Sequence, residues 1–229
     1  MNNELDADVK SVSKKIFFPN DELGISGKAG DGVFKKEDKI HSALVGTAKQ
    51  NGNYISVSAM RGRYYPKVGD AVIAICSGIG PSHWYMNINS SSDALLHFSE
   101  TEWKVGIGET SKFMNIGDAC IAEIFFSGTG SYQISFKKDC IGRRLYAGTI
   151  FKIDCKNVSK IIGKQGSVIE MIREKTDTRI QIGQNGLVWI DGSTDGIAKA
   201  MKAMEIVNTE KGKIDGTEII KEFLEGEKK

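Results

Sequence analysis

Ile162-Gly163-Lys164-Gln165-Gly166-Ser167-Val168-Ile169 decides how the last third of the chain folds. Two apolar runs meet here across a Gly-x-x-Gly corner. The run before it, 157–162, reads as a short helix. The run after it, 167–176, carries Val168, Ile169, Met171 and Ile172 as a helical apolar stripe. Glycine at both ends of the corner removes the side chains that would keep another backbone away. Main-chain N–H groups at the start of the second helix then suit phosphate oxygens. Lys164 brings charge to the same place.

Working outward, a strand over 149–154 precedes the first helix. Two strands over 178–183 and 187–191 follow the second, joined across Asn185-Gly186, a strong hairpin dipeptide. A long helix begins near Thr194 and puts Ile197, Ala200, Met201, Met204 and Val207 on one side. A Gly-x-x-Gly tetrapeptide alone only joins two helices. Set in the order strand-helix-helix-strand-strand-helix, it resembles the KH signature, Ile-Gly-x-x-Gly-x-x-Ile. The resemblance implies an α/β RNA-binding domain (βααββα) over 147–229, ending in a further helix over 216–226. It also implies a groove for about four nucleotides. One wall would be Ile162, Gly163, Lys164, Gln165 and Gly166; the other would be the strand that offers Arg179, Ile180 and Ile182.

The middle of the chain contains an internal echo. Val68-Gly69-Asp70-Ala71-Val72-Ile73-Ala74 matches Ile116-Gly117-Asp118-Ala119-Cys120-Ile121-Ala122. Gly-Asp turns feed an apolar strand in each, which predicts two strands of one barrel entered by similar turns. Further strands are expected over 83–88, 94–98 and 131–137. Five short strands over 64–138 fit an oligonucleotide-binding (OB) barrel. The runs His83-Trp84-Tyr85-Met86-Asn87-Ile88 and Ala94-Leu95-Leu96-His97-Phe98-Ser99-Glu100 resemble the S-one class of that fold. On this match Tyr85 takes the base-stacking position and His97 its partner. The bare alternative keeps Trp84 and Tyr85 as barrel residues, one in and one out. The chain departs from the class at 126–131, which lacks the usual acid and arginine, and at His83, where glycine is usual.

Residues 1–62 read as a small β domain. Its clearest feature is a strand over 39–47 paired with 54–59 across Gln50-Asn51-Gly52-Asn53. Residues 63–146 form the OB domain. The run 137–144, with Lys137, Arg143 and Arg144, reads as a basic linker between the last two domains. Such a run is usually a solvated surface; beside two nucleic-acid modules it can contact phosphates.

Bulk properties set the limits. Among 229 residues, 40% are hydrophobic and 26% charged, with a formal net charge of +2 and pI near 8.2. This composition suits a multidomain globular chain whose nucleic-acid surface is local. No apolar run approaches the length of a membrane span, and residues 1–15 lack the apolar core of a secretory signal. Cys76, Cys120, Cys140 and Cys155 are scattered, as are His41, His83 and His97. Neither a zinc site nor a disulfide framework is expected, and free thiols point to a reducing cytoplasm. No phosphate-binding loop or carboxylate cluster is evident, so no cofactor, metal or catalytic residue is assigned.

Taken together, the order N-terminal β domain, S-one OB domain, single KH domain resembles the archaeal exosome's RNA-binding cap subunits. Gly62-Arg63-Tyr64-Tyr65-Pro66-Lys67-Val68-Gly69-Asp70, the strand from Trp84 to Asn89, and Gly183-Gln184-Asn185-Gly186-Leu187-Val188-Trp189-Ile190 carry that likeness, the last most specifically. The family implies a non-catalytic subunit that captures single-stranded RNA. It implies three copies capping a hexameric ring of RNase-PH-like subunits, which degrades RNA from its 3′ end using phosphate. The N-terminal domain would grip the ring. A transcription or translation factor with S-one and KH domains is the alternative; those typically carry two KH modules.

Overall fold

The computed structural model describes residues 9–24, 26–59, 64–128, 130–137 and 142–209. The chain divides into two units, Met1–Gly62 and Arg63–Lys229. The helix expected over 216–226 and the cysteine at 140 lie outside the described residues.

In the first unit, strands β1 (Val9–Phe17), β5 (Gly46–Asn51), β6 (Tyr54–Ala59) and β2 (Lys28–Ala29) form a sheet in that order. Strands β3 (Val33–Lys36) and β4 (Lys39–Ser42) form a separate hairpin. Phe17, Leu23, Ile40, Ala48, Ile55 and Val57 are its buried core. The expected 39–47 strand is really two. The Ser42 hydroxyl donates to Leu44 O at 2.5 Å and accepts from Leu44 N at 3.3 Å, turning the chain within two residues. This local bonding competes with the ladder and ends β4. The partner of β6 is therefore β5, and Asn51 faces Tyr54 across the Gly52-Asn53 turn.

The second unit opens with an antiparallel-rich barrel. Its strands are β7 (Ala71–Ile79), β8 (His83–Asn87), β9 (Ala94–His97), β10 (Ala119–Gly128) and β11 (Ser131–Ser135). The order β11-β9-β8-β7-β10 closes through a β10–β11 pairing. Alternation on β7 and β10 sends Val72, Ala74, Cys76, Cys120, Ala122 and Ile124 inward. Trp84 fills the centre, fully buried, with its indole N–H donating to Met114 O at 3.2 Å.

The sequence echo is a structural one. Strands β7 and β10 pair with each other, and their two entry turns bond reciprocally across the pair. Gly69 N donates to Ile124 O and Ile124 N to Asp70 O; Gly117 N donates to Cys76 O and Cys76 N to Asp118 O. Each aspartate also accepts from the amide three residues back, Lys67 and Asn115. Asp70 further accepts from the Tyr64 phenol. Burial and this carboxylate push the phenol's pKa up, so it stays a donor.

A sixth strand, β12 (Arg143–Leu145), extends the sheet beside β10. It corrects the reading of 137–144 as a linker throughout: Arg143 and Arg144 lie in a hydrogen-bonded ladder. The last module follows at once. Strands β13 (Thr149–Lys152), β15 (Leu187–Asp191) and β14 (Arg179–Ile182) form an antiparallel sheet in that order. Helices α1 (Val158–Ile162), α2 (Ser167–Thr176) and α3 (Thr194–Thr209) cover one face. Ile161, Ile172, Val188, Ile190, Ala200 and Met204 are fully buried between them.

The other face of this sheet is also covered. Leu187 and Trp189 on β15 pack with Ile73 and Ile121 on the outside of the barrel, and with Leu145 of β12. A strand buried on both sides reads as a continuous apolar run, as Leu187-Val188-Trp189-Ile190 does. Asn185 locks the contact and is fully buried. Its Nδ2 donates to Ile73 O at 2.7 Å and Ile88 O at 3.0 Å, and its Oδ1 accepts from Ile73 N at 3.3 Å. A Cβ on Gly183 would sit 2.6 Å from Ile73 N, so only glycine permits this approach.

Candidate nucleic-acid interface

The corner between α1 and α2 has the geometry its sequence implies. Gly163 adopts φ 76°, ψ 177°, a region that excludes side-chain-bearing residues. A Cβ there would also meet Val168 Cγ2 at 2.5 Å and its amide nitrogen at 2.8 Å. Gln165 (φ 51°) and Gly166 (φ 84°) take left-handed conformations in succession. The chain thus reverses within a few residues and presents its backbone outward. Lys164 and Gln165 are exposed, while Ile162 is half-buried against the helix–sheet core. Beyond the corner the positive end of α2 favours an anion. Among α2 residues, Arg173 pairs with Glu170 at 2.5 Å and donates to Ile180 O, fastening α2 to β14.

The second wall differs from expectation. Ile180 is 1% exposed and belongs to the core between helices and sheet, so its side chain cannot meet a ligand. Ile182, on the same face, is half-buried. Period-two alternation puts Arg179 on the opposite face, where it pairs with Asp191 and stands near Trp189. Arg179 therefore does not share the Gly-x-x-Gly corner.

On the barrel, Trp84 points in and Tyr85 out, with 46% of Tyr85 exposed. Residues His83 and His97 are paired across β8–β9, and Tyr85 faces Leu95, so all four share the outer face. The His83 ring meets Tyr85 edge-on at 4.8 Å, and His97 stacks on Phe98 at 4.5 Å. The His97 Nδ1 also accepts from Ser99 N at 3.2 Å, which fixes the ring. Tyr85 lies over Gly78, whose missing Cβ would approach its ring to 3.1 Å. Tyr85 and His97 thus form a ring-bearing patch able to stack bases. Lys137 is exposed, forty positions beyond His97, and is no part of this strand pair.

A third region was not anticipated as a unit. A groove of about 410 Å³ opens where β12 faces the outer side of the β13–β15–β14 sheet. Arg143, Arg144 and Arg179 all line it, joined by Glu102, Tyr146 and Trp189. Arg144 donates to Phe113 O and Asp118 Oδ2, each at 2.6 Å, and its guanidinium lies 4.9 Å over the Tyr146 ring. Sequence reading placed these arginines in different modules. Only tertiary contact brings them together; Trp189 stands in the run that carries the family likeness, whereas Tyr146 and Glu102 carried no local signal.

Among the described residues no group of three or more His, Cys, Asp or Glu could hold a metal ion. Among them, no helix is long and apolar enough to cross a membrane.

Comparison with known proteins adds the following. The model for the S1 domain of RRP4 matches residues 63–125, and that for the KH domain matches 148–206. The chain is 35% identical to the exosome complex component Rrp4 of Thermoplasma volcanium, over 86% of this chain and 84% of that protein. It is 30% identical to the Rrp4 of Picrophilus torridus, over 93% of both. The Rrp4 of Methanosarcina acetivorans is 33% identical, over 95% of this chain and 84% of its own. A crystal structure described as an exosome complex RNA-binding protein superposes with a TM-score of 0.64 at 26% identity, covering 72% of this chain and 97% of that one.

Proposed function

This chain belongs to the archaeal family of exosome Rrp4 components, and on that premise we propose that it is a non-catalytic RNA-binding subunit of an exosome. It captures single-stranded RNA and guides the 3′ end towards a phosphorolytic ring of RNase-PH-like subunits. Three copies cap the ring in the cytoplasm. Residues 1–62 dock on the ring, while 63–146 and 147–229 hold RNA.

The observation that carries this reading is the α1–α2 corner. Gly166 leaves the backbone open, Gly163 lets α2 pack close, and Lys164 and Gln165 stand exposed between them. Such a corner grips sugar-phosphate by shape and main-chain dipoles without reading a duplex. The Tyr85 face adds a stacking surface that any base can use. One corner and one ring give modest affinity; three copies around a pore would act together, because the second and third contacts become intramolecular.

The test is direct. The full chain is titrated into fluorescent single-stranded RNA at several salt concentrations, with and without phosphate. Binding should weaken as salt rises, since phosphate contacts release counterions. The RNA should stay intact in every mixture. The double variant Lys164→Asp, Gln165→Asp should lose about tenfold or more in affinity while melting at an unchanged temperature. Unaltered affinity would remove the corner from the interface, and cleavage by the isolated chain would remove the non-catalytic assignment.

A further inference from the structure

The groove between barrel and KH sheet contains ionic groups that the reading above leaves without a task. Arg144 is committed to Asp118 and Phe113, and Arg179 to Asp191. Two charged side chains remain. Arg143 and Glu102 are both exposed, and neither has an ion pair or side-chain hydrogen bond with the described residues. Aromatic rings line the same groove. Tyr146 is 67% exposed, with Arg144 over its ring, and Trp189 is buried below with its indole N–H donating to Ala147 O at 2.9 Å.

This combination selects a ligand. The exposed phenol offers a plane on which a heterocycle can stack. The volume, about 410 Å³, suits one nucleoside and is too small for a helix of nucleic acid. An ionised carboxylate can only accept hydrogen bonds. Among the RNA bases, guanine alone presents two neighbouring donors, N1–H and the N2 amino group, on its Watson–Crick edge. Adenine and cytosine place an acceptor beside their amino group. Uracil flanks its single N–H with two carbonyls, which a carboxylate repels. Arg143 on the rim then matches the phosphate that the base carries.

We propose that this groove is a guanine-selective pocket that takes one nucleotide out of a bound RNA strand. The base stacks on Tyr146, its N1–H and N2 amino donate to Glu102, and Arg143 pairs with the adjoining phosphate. The pocket rests on the RNA-binding reading but uses none of the Gly-x-x-Gly corner. It adds base choice to a chain whose other two surfaces are sequence-tolerant.

The experiment compares three twelve-residue RNAs binding to the full chain by fluorescence anisotropy: oligouridylate, the same strand with one central guanosine, and the same with inosine, which lacks the N2 amino group. Guanosine should tighten binding roughly tenfold, the range of one good bidentate contact, and inosine distinctly less. Glu102→Gln and Tyr146→Ala should each erase the preference while leaving oligouridylate affinity within about twofold. Both side chains are exposed, so the variants keep the fold, checked by melting. The double variant at Lys164 and Gln165 should weaken all three strands alike and preserve their ratio. Equal binding of the three strands, or a preference that survives both pocket variants, overturns the proposal and leaves RNA binding itself standing. Failure of the unaltered chain to bind any strand overturns the RNA reading and the pocket with it.

Discussion

Replacing Asn185 with alanine should loosen the joint between barrel and KH module. The side chain donates at 2.7 Å and 3.0 Å to two carbonyls, those of Ile73 and Ile88, whose residues are fully buried. A buried polar group left without its partner costs about 1–3 kcal/mol. The third bond, at 3.3 Å from Ile73 N, is long and adds little. Relief from burying the amide itself offsets about 1–2 kcal/mol. With two carbonyls left unpaired, about 2–6 kcal/mol in all, the net loss comes to roughly 1–4 kcal/mol. For a unit of this size each kcal/mol moves the melting temperature by about 2–4 °C, so a loss near ~3 kcal/mol lowers it by about 6–12 °C. Thermal and urea unfolding of the full chain, followed by circular dichroism, read the change. Asn185→Asp supplies a second arm. It keeps the shape but brings an acceptor-only carboxylate against two carbonyl oxygens, so it should cost more than alanine. A loss under about 1 kcal/mol for alanine, or a milder effect for aspartate, would refute the view that these bonds hold the joint.

Other outcomes follow from single residues. Trp84→Ala removes the fully buried centre of the barrel and should cost about 3–5 kcal/mol, read by urea titration. Tyr85→Ala should leave melting nearly unchanged but weaken RNA by about 1–3 kcal/mol if its exposed ring stacks a base, read by anisotropy. Gly163→Ala should lose both stability and RNA affinity, because φ 76° and the Val168 contact exclude a Cβ; calorimetry and anisotropy together check it. Burial pushes the Cys76 and Cys120 thiols up in pKa, and thiolate is the reactive form. At pH 8 a thiol reagent should therefore label Cys120 only after denaturation; rapid labelling of the native chain, mapped by mass spectrometry, would contradict the packing.

Local pattern made much of this architecture legible. The α2 helix, the β15 strand and the paired Gly-Asp turns follow from short-range periodicity and turn chemistry, which neighbouring residues decide. Two of the errors share a cause in distance. The basic residues of β12 read as linker because their ladder partner, β10, lies more than twenty positions upstream. The strand carrying Arg179 and Ile180 was found, but which residue faced the helices depends on phase against α2 and α3, and Ile180 proved to be core. The 39–47 run was split by a serine hydroxyl whose bonding to its own backbone leaves no periodic trace. Asn185 and Ile73 are 112 positions apart, so the joint, and with it the groove that gathers Arg143, Arg144 and Arg179, had no signature in any window of sequence.

The apolar contact of Leu187 and Trp189 with Ile73 and Ile121 bears on how this module travels through evolution. A portable domain can be shuffled between proteins because its outside tolerates water wherever it lands. This one has surrendered that freedom: excised at residue 147, it would carry a greasy flank in search of cover. Its inheritance is thus tied to the barrel's, and a substitution on either partner is judged by the fit of both.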